Sequence, residues 1–403
     1  LKASKNSRKT QRLAPVRPLF RAMVALALVA LAALVNILPL VRTQEQISAP
    51  AQELTEVEQC QVEEDSSLLS LATERRSSRS SGHNSNLGTF DCNNFQLNTK
   101  AGGPIELKHR SVPARIIDTF AFGNKFEVEE LVLRLYEMGS EVSEFHIVEG
   151  DKDFTGASKA YEFPAILQSG KLDRWKAKIT YHKAQIPAGV KAYDLQNSQR
   201  LAMQSEMRET ATSSYDPSDI LLEGDLDEIP NHLVLQALKH CAPVSGVWNA
   251  HIQMANLYYS AGWTNGNLQL STTAAYFSES PLQDSAGTGT SASMFLAQSI
   301  WTKPNLLSLK HGMGQSGWHF SWTLNGTQGL ARKIFIHVEG FPTWARGFAD
   351  EAALAKFLDE SFYADIQKYD RRVFPSRLGK DTLPRALSEH PEEFPTILRG
   401  VVL

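Results

Sequence analysis

Two aspartates one residue apart, Asp225 and Asp227, follow the apolar run Ile220-Leu221-Leu222 and stand shortly before Pro230. In extended backbone, residues i and i+2 point to the same side, so this spacing predicts that the two carboxylates converge. Hard oxygen ligands of this kind suit Mg²⁺ or Mn²⁺, and a metal-bound diphosphate is a good leaving group. A D-x-D occurs about once by chance in a chain of this length at average usage, and this chain has another in Asp151-Lys152-Asp153. The first is singled out by its position after an apolar strand and before a proline suited to a helix's first turn. The competing reading is a pair of solvated acids in a turn.

Gly317-Trp318-His319-Phe320-Ser321-Trp322 is the second candidate. As a strand it would show Trp318, Phe320 and Trp322 on one face, where an aromatic can stack on a sugar ring, and His319 on the other as a metal ligand or base. A core strand with a hydrogen-bonded histidine is the alternative. Downstream, His337-Val338-Glu339 sets a second histidine and a carboxylate on one side of a possible strand, which makes Glu339 a candidate base. Arg200, in a helix just upstream of the acidic motif, could pair with phosphate or with a nearby acid. No phosphate-binding P-loop, G-x-S-x-G, H-E-x-x-H or dinucleotide G-x-G-x-x-G occurs in a suitable context, which disfavours those enzyme classes.

The elements that must position these groups are legible from Val112 onward. Arg115 to Phe122 reads as a strand, Asn124 to Glu127 as a capping box, and Val128, Leu131, Val132 and Leu135 as the apolar face of a helix that Gly139 stops. Phe145 to Val148 is a second strand, ending in Glu149-Gly150-Asp151. This is a βαβ unit, hence a parallel sheet, and ligands of such sheets sit at the carboxyl ends of strands, where Glu149, Asp151 and Asp153 lie. Further strands are expected at 178–182 and 220–222, a strand pair at 248–259, and helices at 197–209 and 349–366. Residues 284–293 form a small-residue insertion.

The chain has 403 residues, 41 Lys and Arg against 44 Asp and Glu, and a net charge of -3, without the basic excess of a nucleic-acid binder. The charge is uneven: seven basic side chains and no acid occur in residues 1–21, seven acids and no base in 43–65. Between them, residues 23–41 are uncharged and, at roughly 1.5 Å per residue, just span a hydrocarbon core. The positive-inside rule makes this a type II signal anchor, with a cleaved signal peptide as the alternative. Polar residues 42–110 read as a flexible stem. Of Cys60, Cys92 and Cys241 one pair could join in an oxidising lumen, and Asn325-Gly326-Thr327 is a glycosylation sequon.

The segments RIIDTFAFGNKFEVEELVLRLYEMGSEVSEFHIVEG, ILLEGDLDEIP, GWHFSW, KIFIHVEGFPTW and LPRALSEHPEEF, in this order over residues 112–399, resemble the N-acetylglucosaminyltransferase III family, glycosyltransferase family 17. The resemblance implies an α/β domain of the GT-A type with a mainly parallel central sheet. It also implies an inverting transferase acting in the Golgi, moving N-acetylglucosamine from UDP-N-acetylglucosamine to the β-mannose of an N-glycan core in β-1,4 linkage. Asp225 and Asp227 would meet Mn²⁺ or Mg²⁺ and the diphosphate, and residues at the Glu149 end of its strand the nucleotide. The chain departs from the animal members at Gly224, where they carry a further Asp. The expected organisation is a cytosolic tail at 1–22, an anchor at 23–41, a stem at 42–110 and the transferase domain at 111–403. Its rivals are a transferase with another UDP-sugar and a lumenal sugar-binding protein without turnover.

Overall fold

The computed structural model describes residues 90–99, 102–190, 193–211, 215–246, 249–276, 305–310, 312–336, 345, 347–379 and 382–401. At their centre is the strand pattern expected after Val112. Three strands precede it: β1 (Phe95–Asn98), β2 (Pro104–Ile105) and β3 (Leu107–His109). They are followed by β4 (Ile116–Ala121), helix α1 (Val128–Met138) and β5 (Glu144–Gly150), with β4 and β5 parallel. Asn124 accepts from the Phe126 N–H and Glu127 from the Gly123 N–H at 2.7 Å, so the capping residues do close the helix entry. A short helix α2 (Phe163–Gln168) leads to β6 (Ile179–Ala184), and α3 (Tyr193–Ala211) leads to β7 (Ile220–Glu223).

The four parallel strands lie in the order β6-β5-β4-β7, so the chain turns to the opposite side of β4 when it places β7. Ile116 and Phe120 of β4 belong to the large core under α1, whereas Ile117 packs with Val148, Leu221, Leu195, Met203 and Met207 beneath α3. Burial on both faces is what a parallel sheet requires. At the end of β5, a Cβ on Gly150 would stand 2.3 Å from the Gln199 amide nitrogen, so glycine leaves room for that side chain of α3.

Beyond β7 the sheet is mixed. The chain runs on through β8 (Glu228–Pro230), α4 (His232–His240), β9 (Cys241–Pro243), β10 (Asn249–Tyr258), β11 (Trp263–Tyr276), β12 (Asn305–Leu309) and β13 (Gly317–Ser321), of which β9 pairs with β3 in a separate two-stranded sheet. β11 runs antiparallel between β7 and β10, and β13 lies parallel to β10 and antiparallel to β8. Pro230 thus ends a strand, and the helix starts after it on the Asn231 cap. Where a strand pair is expected at 248–259, Asn249–Tyr258 is one long strand. Helix α5 (Gly326–Ile336) takes in the KIFI of the KIFIHVEGFPTW segment, the possible strand at 337–339 lies outside the described residues, and α6 (Glu351–Phe357) passes into a π-helical turn at Leu358–Phe362.

The expected stem boundary at 110 is corrected. β1 pairs with β12 over four residues, Phe95 and Leu97 are buried, and Cys92 is bonded to Cys241 across 149 residues. A four-residue strand in polar surroundings carries too little periodicity to be seen from sequence. Among the described residues no helix is long and apolar enough to cross a membrane; the expected anchor at 23–41, Cys60 and the 284–293 insertion lie outside them.

Candidate functional site

The point where β7 departs from β4 on the side away from β5 is a topological switch, the place where open α/β sheets bind ligands beyond the strand ends. A cavity of about 700 Å³ opens there. Ala121 and Gly123 wall it from the end of β4, Gln196 and Gln199 from α3, Asp225 to Glu228 from the end of β7, His319 and Ser321 from β13, and Arg332 and Lys333 from α5.

β7 ends at Glu223, so Asp225 and Asp227 sit in a tight turn rather than in extended backbone. The Glu228 N–H donates to the Asp225 carbonyl at 3.1 Å. The buried Glu228 carboxylate accepts from the Asp225 N–H at 3.1 Å and the Thr272 N–H at 3.0 Å, tying the turn to β11. Gly224 is required by space: a Cβ there would lie 2.3 Å from Thr272 Oγ1. Both carboxylates nevertheless line the same cavity. Asp225 Oδ1 accepts from Gln196 at 2.6 Å and from Arg200. Asp227 lies 3.4 Å from Lys333 Nζ and 3.7 Å from His319 Nε2.

Burial works against the Asp227 charge, but the Lys333 ammonium and His319 overcome it and hold its carboxyl below the ordinary range. Reciprocally, burial would depress His319 and Lys333, yet Asp227, with Glu127 and Glu130 beside Lys333, raises both. Glu127 and Glu228 are pushed up to about 7, mainly by burial, the latter also by Asp225. Glu130 is raised further by burial, and neither of its carboxyl oxygens has a hydrogen-bond partner. The cavity thus gathers carboxyl groups around a half-buried lysine, with Lys152, Lys159 and Arg372 elsewhere on its wall. Such cations suit a phosphate-bearing ligand. Trp322, at the end of β13, lines the cavity with φ 64°, a conformation that costs roughly 1–3 kcal/mol and gathers at functional sites.

Of the residues expected at the site, Asp225, Asp227 and His319 meet at the cavity, and Arg200 stands behind Asp225. Glu149 is buried and does not line it; it holds Lys159 at 2.6 Å and accepts from the Glu162 and Phe163 N–H groups opening α2. Asp151 accepts from the Ile186 N–H at 2.9 Å and is likewise off the wall. Trp318 is in the core, its indole donating to the Thr382 carbonyl at 2.9 Å, because the strand face opposite His319 is the one packed inward. Glu339 and His337 lie outside the described residues. Lys333, Glu127 and Arg332 were not singled out as site residues; the first two sit in the quoted KIFI and GNKFE segments, where nothing in their spacing marks a partner.

Residues 103–302 match the family model described as Glycosyltransferase family 17. The chain belongs to that family. The matched span takes in β4, α3 and the D-x-D turn and stops before β12 and β13. This family 17 protein is therefore a glycosyltransferase. A solved crystal structure of an active-site mutant of LgtC is similar at 12% identity and a TM-score of 0.23, the match covering 40% of this chain and 57% of that one. No curated protein matches the chain by sequence.

Among the described residues no group of three or more His, Cys, Asp or Glu side chains is placed to hold a metal ion. Two carboxylates are still a fitting donor set for Mg²⁺ or Mn²⁺ in this family 17 cavity, since such ions are commonly held by one or two carboxylates plus substrate phosphates and water.

Proposed function

We propose that the chain transfers N-acetylglucosamine from UDP-N-acetylglucosamine to a mannose of an N-glycan core in β-1,4 linkage, with inversion, in a GT-A-type domain. We further propose that it works in the Golgi lumen, held by residues 23–41 as a single-pass type II anchor. The observation that carries the reading is the convergence of Asp225 and Asp227 on an open cavity at the β4–β7 switch point. The Cys92–Cys241 bond supports an oxidising compartment.

In this reading the acceptor hydroxyl attacks the anomeric carbon, the bond from that carbon to the β-phosphate oxygen breaks, UDP leaves, and a base takes the hydroxyl proton. Asp225 and Asp227 would hold the divalent ion, which supplies charge neutralisation for the diphosphate. Lys333 stands beside them as a fixed cation. His319, whose basicity Asp227 raises against its burial, faces that carboxylate at 3.7 Å and is our assignment for assisting the leaving group; Glu339 is our assignment for the base. Arg200 orients Asp225, and Glu149 orients Lys159 toward the cavity.

The test is UDP release by the purified chain with a panel of UDP-sugars, Mn²⁺ and N-glycan acceptors. EDTA should abolish turnover of UDP-N-acetylglucosamine and Mn²⁺ or Mg²⁺ restore it. Asp227→Asn should lower turnover by about a hundred- to a thousandfold, whereas Asp153→Asn, on the cavity wall but held by Arg332 at 2.8 Å, should cost less than about tenfold. Full activity in EDTA or in Asp227→Asn would sink the metal mechanism. Turnover of UDP-galactose alone would replace the donor.

A further inference from the structure

The sequence pattern attaches no role to Arg134, yet its contacts converge on the D-x-D turn. It projects from α1 with its side chain fully buried, and so is its partner Asp118 on β4. Nε and Nη2 donate to the two Asp118 oxygens, each at 2.7 Å. Nη1 donates to the carbonyl oxygens of Glu228 at 2.6 Å, Asp225 at 2.9 Å and Leu226 at 3.4 Å. The Phe120 ring lies 4.6 Å beneath the guanidinium carbon. One planar fork thus joins β4, α1 and three of the four peptide carbonyls of the segment that presents Asp225 and Asp227.

A buried ion pair is a poor way to gain stability, because desolvating both charges costs about as much as their attraction returns, and well-packed apolar residues often do as well. Apolar residues cannot bind three carbonyls that point into the core. Lysine cannot either while also gripping a carboxylate at two points, because its ammonium is a compact charge and not a fork. We infer that Arg134 is the positioning residue of the D-x-D turn: anchored by Asp118, it fixes the backbone from which Asp225 and Asp227 reach the divalent ion. The inference rests on the metal reading of the site proposed above.

The experiment measures UDP binding by calorimetry as Mn²⁺ is titrated, alongside thermal unfolding, so that no turnover is needed. Arg134→Lys keeps a charge against Asp118; the double variant Arg134→Met/Asp118→Leu removes both charges and keeps apolar volume. In both, the Mn²⁺ concentration that half-saturates UDP binding should rise about ten- to a hundredfold, the usual loss when an outer-shell partner of a metal ligand is changed. The double variant should melt closer to the wild type than Arg134→Ala does. Wild-type Mn²⁺ dependence and UDP affinity in either folded variant would overturn the inference. So would failure of both to unfold cooperatively, because the residue would then be holding the core. If the wild type binds UDP equally well in EDTA, the metal reading fails on its own; the same fold loss in metal-free UDP affinity then decides whether Arg134 positions the turn.

Discussion

A chain beginning at Ser85 should fold normally, and one beginning at Lys100 should not. The sequence pattern puts the whole of 42–110 in a stem, which would make the two starts equivalent. Starting at Lys100 deletes β1, which is paired with β12 along four residues and is the strand that carries β2. It removes Phe95 and Leu97, 5% and 1% exposed, each contributing roughly 1.5–3 kcal/mol by burial. It also removes Cys92 and with it the bond to Cys241, which closes a loop of 149 residues. Loop-closure entropy gives about 5 kcal/mol for a loop of that length, and measured disulfides more often contribute about 2–4. The combined loss is on the order of 5–10 kcal/mol, against a total stability of roughly 5–15 kcal/mol for an ordinary domain. Urea unfolding followed by tryptophan fluorescence would measure it, with reductant added to the longer chain to isolate the disulfide's share. If the shorter chain unfolds at the same urea concentration and with the same steepness, β1 contributes nothing to the core and the reasoning fails.

Trp318→Ala should cost about 3–5 kcal/mol and lower the melting temperature by on the order of 10 °C, while the folded fraction keeps its UDP affinity, because the side chain is 1% exposed and bonded to Thr382 away from the cavity. Weakened UDP binding at an unchanged melting temperature would return Trp318 to the site. Stability should also depend on pH. Glu127, Glu223 and Glu228 titrate near 4.5 when unfolded and are pushed up to about 7 by burial, so the folded chain retains protons that the unfolded chain has lost. Their contribution is fully present below about pH 4.5 and is lost as pH rises through about 7. His319, raised by Asp227 against its burial, acts in the same direction, and Asp227, held low by Lys333 and His319, has its opposing effect only in acid. Melting temperatures in EDTA should therefore fall from pH 5.5 to pH 8, and a flat or rising profile would show that these carboxyls are not buried in the way described.

The amino-acid sequence by itself determined the β4-α1-β5 unit, the helix carrying Arg200 and the D-x-D at the end of an apolar strand. Each of these is written in a local signal: apolar residues at helical or strand spacing, a capping box, a glycine stop. Only the tertiary structure decided which groups meet. Asp227 and Lys333 are 106 residues apart, Arg134 and Asp225 are 91 apart, and Cys92 finds Cys241 rather than a nearer partner. Spacing cannot say which chain segments will cross, so no pattern along the chain marks these partners. The two faces of β13 make the same point. Alternation correctly separated Trp318 and Phe320 from His319 and Ser321, but it misplaced Trp322, which lies past the strand's end at φ 64° and lines the cavity with His319; and which side would meet ligand depended on β13 lying between β8 and β10 with its aromatic face in the core. A strand's period sets the two faces; what packs against each is a property of the assembled sheet.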